Sequence, residues 1–162
     1  MPRNTDITDY YEPLDQYDSK ILTALSADGR LSTAVLAQRI GLSKTACYTR
    51  VRRLESNGCI LGYRAIIDPI KLGLEHVAFT EIKLSDTTAA ALASFDKAVL
   101  LLPEIEECHM IAGSFDYLLK VRTKNIRDYR RFFGEELSRL PYIAHTSTFI
   151  AMDIVKDYAM AT

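Results

Sequence analysis

The spacing of the hydrophobic residues changes along this chain of 162 residues, and the change divides it in two. Up to about residue 58, apolar residues recur every three or four positions, the period of a helix with one buried side. From His76 onward, two stretches with that period alternate with four stretches in which apolar and polar residues take turns. The pattern predicts three helices, followed by elements in the order β-α-β-β-α-β.

The first half has the signals of a helix-turn-helix. A first helix is expected to begin at the cap Asp15, with Asp18 in its first turn, and to end at Asp28-Gly29. A second is expected from the cap Ser32 to Arg39, and a third from the cap Ser43 to about Ser56, stopped by Gly58. The three buried stripes are Ile21, Leu22 and Leu25; Leu36, Ala37 and Ile40; and Cys47, Val51 and Leu54. Two short helices joined around Gly41, with the first helix packed across them, predict this motif.

The second half predicts a ferredoxin-like sheet. The expected elements are a strand at 77–84, a helix capped by Asp86 or Thr87 and stopped by Pro103, strands at 105–113 and 117–123 around the turn 113–116, a helix from the cap Asn125 to Pro141, and a strand at 145–155. The last helix is expected to bury Ile126, Tyr129, Phe133, Leu137 and Leu140. This order is that of a four-stranded antiparallel sheet with two helices on one face. The fold class is therefore α+β, and we expect a dimer partner to cover the open face of the sheet.

Five segments follow from these patterns. Residues 1–13 are expected to be a flexible tail, 14–58 a helix-turn-helix DNA-binding domain, 59–75 a β segment or linker, 76–156 a ferredoxin-like effector-binding and dimerisation domain, and 157–162 a C-terminal tail. The segment after the third helix, CILGYRAIIDP, suits an extended strand that Pro69 stops. It could be a small wing, making the first domain winged-helix-like, or the linker strand to the second domain.

Positive charge is concentrated in the helix-turn-helix. Residues 29–67 carry seven basic residues and one acidic residue, whereas both flanking regions have more acidic than basic residues. This basic patch is typical of nucleic-acid binding, although a solvated helix pair could also carry it. The third helix would present donors, a methyl group and an aromatic ring to double-stranded operator DNA. The candidate DNA-binding residues are Ser43, Lys44, Thr45, Tyr48, Thr49, Arg52 and Arg53.

The sequence contains few features typical of secreted, membrane, metal-binding, catalytic or RNA-binding proteins. The three cysteines, Cys47, Cys59 and Cys108, include no CxxC pair, and we interpret them as small core residues in a reducing cytoplasm. No signal peptide or membrane-spanning run is expected. On a strand, Glu106 to His109 would alternate between faces, so no metal site is expected. The sequence contains no nucleophile motif or phosphate loop, so we expect neither an enzyme nor a cofactor. An RNA-binding sheet would need paired aromatic residues, which the two central strands lack.

Four sequence motifs, taken from both halves of the chain, resemble motifs that one family has in the same order. They are LDQYDSKILTALSADGR (14–30), LAQRIGLSKTACYTRVRRLESNGCILGYRA (36–65), EECHMIAGSFDYLLKVRT (106–123) and YRRFFGEELSRLP (129–141). This combination resembles the Lrp/AsnC family of transcriptional regulators. The runs HVAFTEIKLSDT and HMIAGSFDYLLKVRT look most like the proteobacterial activators of proline catabolism. One departure is Ser43-Lys44-Thr45-Ala46, where relatives often have Ser-Pro-Thr-Pro, which puts the identity of the operator in doubt.

The resemblance implies a homodimer, or a tetramer or octamer, that is built through the C-terminal domain, binds operator DNA and is tuned by an amino acid. The implied effector-binding residues are Met110, Gly113, Ser114, Asp116, Ile126, Phe149, Ile150 and Ala151. Asp116 would accept from the α-ammonium group, although it could equally bond its own backbone in a hairpin turn. Proline is the predicted effector, with cysteine or a branched-chain amino acid next. The alternative is an amino-acid-sensing regulatory or enzymatic domain whose helix-turn-helix contacts proteins.

Overall fold

A computed structural model describes residues 13–156 of the chain. The expected tails at 1–13 and 157–162 therefore lie outside the described residues, except for Pro13. The chain divides into two compact units, and the division falls between Ala65 and Ile66.

Three helices form the N-terminal unit: α1 (Gln16–Ala27), α2 (Thr33–Ile40) and α3 (Lys44–Ser56). Asp15 caps α1 in a capping box with Asp18, and the hydroxyl groups of Ser32 and Ser43 cap α2 and α3. Gly41 ends α2 with a left-handed φ of 76°, a conformation that glycine adopts without steric cost. The predicted caps and helix ends agree with the structure to within one residue.

A single apolar cluster holds these three helices together. It is built from one side of each helix, with Leu22, Leu25 and Val51 packed around it. Its buried members are Ile21, Leu36, Ala37, Ile40, Cys47 and Leu54. Burial raises the pKa of the Cys47 thiol, so this cysteine behaves as a small core residue, as predicted.

The predicted strand after α3 does not form. Residues 59–67 join no ladder within the described part of the chain, and a short 3₁₀ turn follows at Ile70–Leu72. Among residues 13–156, the β-forming residues at 60–67 have no neighbouring strand to pair with, and a lone strand gains no ladder hydrogen bonds. Neither a wing strand nor a linker strand is therefore present in the described residues of this segment.

The C-terminal unit has the predicted β-α-β-β-α-β order. Its elements are β1 (His76–Leu84), α4 (Ala89–Val99), β2 (Ile105–Met110), β3 (Tyr117–Thr123), α5 (Ile126–Glu135) and β4 (Ile143–Ile150). The strands lie in the order β2-β3-β1-β4, and every neighbouring pair is antiparallel. This confirms the ferredoxin-like sheet and the α+β class.

Alternate residues of the central strands bury one face of the sheet against both helices. Ala78, Ile82, Leu119 and Val121 are fully buried there, in one cluster with Phe95 and Tyr129. The hydroxyl group of Tyr129 lies 3.0 Å from Thr80 Oγ1 and 2.7 Å from Thr148 Oγ1. These contacts satisfy the buried hydroxyl group of Thr80 on β1 and join α5 to Thr148 of β4.

Several element ends differ from the sequence prediction. Thr88 caps α4, because Asp86 bonds the Thr88 N–H instead of starting the helix itself. The last helix stops at Glu135, and Leu137–Arg139 continue as a 3₁₀ turn, so Pro141 does not end it.

Three predicted core positions are exposed. Ile126 is the first residue of α5, and 55% of its surface is exposed. Burial in this helix begins one turn later, at Tyr129. Cys108 is exposed on the edge strand β2, and Cys59 is exposed in the segment after α3. The prediction that these cysteines are core residues is therefore wrong for two of the three.

Candidate DNA-binding surface and effector-binding residues

One side of α3 collects most of the predicted DNA-binding residues. Lys44, Thr45, Tyr48, Thr49 and Arg52 are all exposed, as expected for positions spaced three or four apart on one side of a helix. The Ser43 hydroxyl group accepts the Ala46 N–H at 3.2 Å, and the Thr49 hydroxyl group donates to the Thr45 carbonyl at 3.1 Å. Ser43 therefore serves first as the cap, which places Lys44 at the start of the helix.

The three arginines of α3 do not share one direction. Arg52 is 66% exposed, and its Nη1 lies 3.2 Å from Oε2 of Glu55. Arg50 and Arg53 turn instead towards α1, where both contact the carboxylate of Asp18. Arg53 was predicted beside the DNA-facing residues, and in the structure its guanidinium group is held by this buried carboxylate.

A shallow groove of about 370 Å³ lies beside Tyr48 and Arg52. Tyr63, from the segment after α3, lines it and donates its hydroxyl hydrogen to Oε1 of Glu55 at 3.2 Å. Burial and the Glu55 carboxylate raise the pKa of the Tyr63 hydroxyl group, which keeps it a donor. Glu55 thus joins Tyr63 to Arg52, two residues that the sequence patterns did not connect.

The eight predicted effector-binding residues separate into two groups in the C-terminal unit. Met110 ends β2, and Gly113, Ser114 and Asp116 lie in the turn to β3, at the end where Ile82 pairs with Tyr117 and Thr146. Ile126, Phe149, Ile150 and Ala151 lie at the other end, where Ala78 pairs with Val121 and Ile150. Four residues of strand separate these ends, about 13 Å. A single copy of the chain does not bring the two groups together.

The Asp116 carboxylate fastens the turn to the end of β1. Its Oδ2 accepts the Leu84 N–H at 2.7 Å, and its Oδ1 lies 3.1 Å from Nζ of Lys83. The Leu84 N–H and the Lys83 ammonium group hold the pKa of Asp116 below its usual value. The alternative that Asp116 bonds the backbone of its own turn through its side chain is not what the structure shows.

The backbone at Gly113 does not itself require glycine. Its φ lies outside the left-handed region, and an added Cβ would meet only Cγ2 of Ile111, at an ordinary 3.5 Å. A side chain could therefore be accommodated by the fold, and the absence of one leaves the main chain of this turn open to approach.

Ile126, from the second group, lines a groove between α5 and β4. Ile126, Tyr129, Phe133 and Thr148 line about 490 Å³ of open space, together with Arg127 and Arg130. The groove offers apolar side chains and guanidinium donors in one place.

The described part of the chain holds neither a cluster of candidate metal ligands nor a helix able to cross a membrane. No group of three or more candidate ligands among histidine, cysteine and acidic residues occurs within residues 13–156. Glu107 instead pairs with His109 at 3.1 Å and with Lys120 at 3.0 Å. None of the helices in that same range is long and apolar enough to cross a membrane.

A helix-turn-helix with a basic second helix, joined to a ferredoxin-like sheet, is typical of DNA-binding regulators with a separate sensory domain. Residues 14–60 match the winged helix-turn-helix DNA-binding family, and residues 77–160 match the Lrp/AsnC ligand binding domain. The chain belongs to the Lrp/AsnC family. This family consists of transcription regulators rather than enzymes, which confirms that prediction.

Three similar proteins illustrate the range of the family. The proline dehydrogenase transcriptional activator of Rhizobium radiobacter is 58% identical over 146 residues, 90% of this chain and 94% of that protein. The leucine-responsive regulatory protein of Escherichia coli K12 is 45% identical over 144 residues, 89% of this chain and 88% of its own. A Neisseria meningitidis transcriptional regulator solved as a complex with L-Met is 27% identical, with a TM-score of 0.84 over 90% of this chain and 94% of that one.

Proposed function

We propose that this regulator activates genes of proline catabolism and that proline is its effector. The observation that carries the proposal is the 58% identity, over nearly the whole of both chains, with a proline dehydrogenase transcriptional activator. The leucine-responsive relative is more distant, at 45% identity. Such a regulator acts where genomic DNA is, so we place it in the cytoplasm.

We propose that α3 reads the operator. Its exposed side offers Lys44 and Arg52 as donors to phosphates and base edges, Thr45 and Thr49 as small polar groups, and Tyr48 as an aromatic contact. Ser43 caps the helix and can direct its N-terminus towards a phosphate. These residues fall in the segment 14–58, which we propose as the DNA-binding domain, with 59–75 as the linker and 76–156 as the effector and dimerisation domain.

We propose that two copies associate through the open face of the C-terminal sheet. Phe79 of β1 pairs with Phe149 of β4 on that face, and both rings are exposed in the single chain. The separation of the effector-binding residues supports association of copies, because a second or further copy can supply the group that one site lacks. An even assembly, from a dimer to an octamer, meets this condition.

The effector site needs an acceptor for the ammonium group, donors for the carboxylate and an apolar wall. Each Asp116 oxygen has one protein donor, and a carboxylate can accept about four hydrogen bonds, so capacity remains for an ammonium group. The Gly113–Phe115 backbone can donate to a carboxylate. Met110, Ile126, Phe149 and Ile150 are exposed apolar side chains suited to the ring of proline.

A thermal-shift screen of the full chain with the twenty amino acids tests the effector. A ligand that binds only the folded state stabilises it by about 2.7 kcal/mol at one hundred times its Kd, so proline is expected to give the largest shift. Calorimetry then compares Asp116→Asn, which can keep the Leu84 bond, with Asp86→Asn, which removes a carboxylate that bonds only its own cap region. Proline affinity is expected to fall at least tenfold in the first variant and to stay unchanged in the second.

Two results would contradict this assignment. A larger shift with leucine, methionine or cysteine replaces proline as the effector and leaves the regulator class intact. Unchanged proline affinity in Asp116→Asn removes Asp116 from the site.

Sedimentation of the full chain tests the association. The wild-type protein is expected at twice its 18.3 kDa or a higher even multiple. Phe79→Glu buries a charge in the proposed interface and is expected to dissociate the assembly, whereas Leu100→Glu, at an exposed position after α4, is expected to leave it intact. A monomeric wild-type protein at micromolar concentration contradicts the proposal.

A further inference from the structure

Asp18 is an acidic residue with no exposed surface in the N-terminal unit. Its carboxylate accepts the Asp15 N–H at 3.2 Å and lies 2.9 Å from Nη1 of Arg50 and 2.6 Å from Nη2 of Arg53. Arg50 makes a second ion pair, 2.7 Å from Oδ2 of Asp15. The first turn of α1 is therefore joined to two arginines of the reading helix.

The ion pairs with Asp18 separate the arginines of α3 into those that contact α1 and one that does not. Arg50 and Arg53 are three positions apart, on the side of the helix that faces α1, and their side chains are 28% and 39% exposed. Arg52 lies between them in sequence, pairs with Glu55 of the same helix instead of with α1, and is 66% exposed. A buried carboxylate is tolerated only when its cationic partners are in place, so the pairing favours one rotation of α3 on α1.

We propose that Asp18 is a positioning residue for DNA recognition. It sets the rotation of α3 and keeps the guanidinium groups of Arg50 and Arg53 on α1, so that Lys44, Tyr48 and Arg52 are presented to the duplex. A guanidinium group that is available to any phosphate adds affinity without sequence information, so holding it back increases discrimination. The proposal rests on the proposed function of α3. It changes the role of Arg53, which the sequence predicts as a DNA-binding residue, to an ion-pair partner that holds α3 on α1.

The test uses the full chain and two duplexes. One is the duplex that the wild-type protein enriches from a random-sequence pool, and the other is a scrambled duplex of the same composition. Affinities are measured for both at several salt concentrations, for wild type, Asp18→Asn and Asp28→Asn. The last is a matched control, because Asp28 lies at the other end of α1, loses the same charge, and its carboxylate accepts the nearby Arg30 N–H.

Asp18→Asn is expected to lose at least tenfold in affinity for the enriched duplex while keeping or gaining affinity for the scrambled one. The slope of log affinity against log salt is expected to steepen by about one, since a released guanidinium group takes a phosphate. Far-UV circular dichroism and the unfolding midpoint give the folded fraction. Loss of affinity for both duplexes in proportion to the folded fraction makes Asp18 merely structural and overturns the proposal.

A second variant, Arg53→Gln, tests the role of the Asp18–Arg53 ion pair even if Asp18→Asn does not fold. The proposal predicts weaker discrimination with an unchanged salt slope, whereas a slope shallower by about one means that Arg53 binds phosphate and overturns it. Wild type and Asp28→Asn report on α3 as the reader independently of Asp18. If they do not discriminate between the duplexes, the proposed function fails, and the role of Asp18 fails with it.

Discussion

The two units of this chain differ in how they assemble their candidate sites. In the N-terminal unit, one helix carries the exposed residues Lys44, Tyr48 and Arg52 on one side. In the C-terminal unit, the candidate residues come from four segments and lie at two ends of a sheet. A site on one helix is set by the helical period, whereas a site on a sheet depends on strand order and register.

Each unit also has one carboxylate that joins elements more than 30 positions apart in sequence. Asp18 is fully buried and joins α1 to α3, while Asp116 is partly exposed and fastens a turn to the end of β1. In our proposals the first carboxylate positions the candidate DNA-binding residues, and the second belongs to the effector site. Substitutions in each unit are therefore expected to separate DNA binding from effector binding.

The largest expected effect is on the two separate cores. Leu36→Ala and Leu119→Ala each remove a fully buried side chain, which costs about 2–5 kcal/mol in the free energy of unfolding. Hydrogen exchange is expected to accelerate mainly in the unit that carries the substitution, because each residue packs within its own cluster. Equal acceleration in both units would show that they unfold as one and would weaken the comparison.

An intermediate effect is expected on the reading helix. Arg52→Ala or Tyr48→Ala is expected to cost roughly 1–3 kcal/mol of operator binding, the value of a lost base contact, with the fold intact. Lys44→Ala is expected to weaken operator and unrelated DNA alike and to flatten the salt slope by about one. Lys20→Ala, on the outer side of α1, is the charge-matched control. Operator affinities equal to wild type in all three variants exclude α3 as the reader.

The smallest expected effect is on the pH dependence of stability. The pKa of Asp15 is lowered from 3.8, first by the Asp18 N–H, and the pKa of Asp116 is lowered from 3.8, first by the Leu84 N–H. A lowered pKa in the folded state means that each carboxylate stabilises the fold above pH 3.8 and loses that contribution as the pH falls through the folded pKa. Urea unfolding between pH 5 and pH 2.5 is expected to show the destabilisation of Asp15→Asn and Asp116→Asn shrinking with acidity. A constant difference contradicts this linkage.

Local signals were sufficient for most of the fold. Ser32, Ser43 and Asn125 cap their helices because a side-chain oxygen within three residues of the free N–H groups is a local feature. The period of two along residues 77–84 predicted the strand β1, in which Ala78 and Ile82 are fully buried. The candidate DNA-reading side of α3 follows from the same kind of information, because one helix contains all of it.

Asp18 shows the limit of prediction from local sequence patterns. It stands three residues before Ile21, at the spacing of the buried stripe, and that spacing was a signal of burial in the sequence. Only the packing of α1 on α3 brings Arg50 and Arg53 to it, from 32 and 35 positions away. The sequence pattern therefore indicated that Asp18 is buried, but it did not indicate its ion-pair partners.

The sequence by itself determined the order of the helices and of the four paired strands, most of the helix caps, the buried stripes of the three N-terminal helices, and the family. The tertiary structure decided which arginines of α3 face outward, that residues 59–67 form no strand in the described chain, and that Met110 and Ile150 lie at opposite ends of the sheet. The physical reason is the range of the interactions. Caps and periodic burial act over a few residues, whereas ion pairs between helices and the register of strands depend on segments that meet only when the chain has folded.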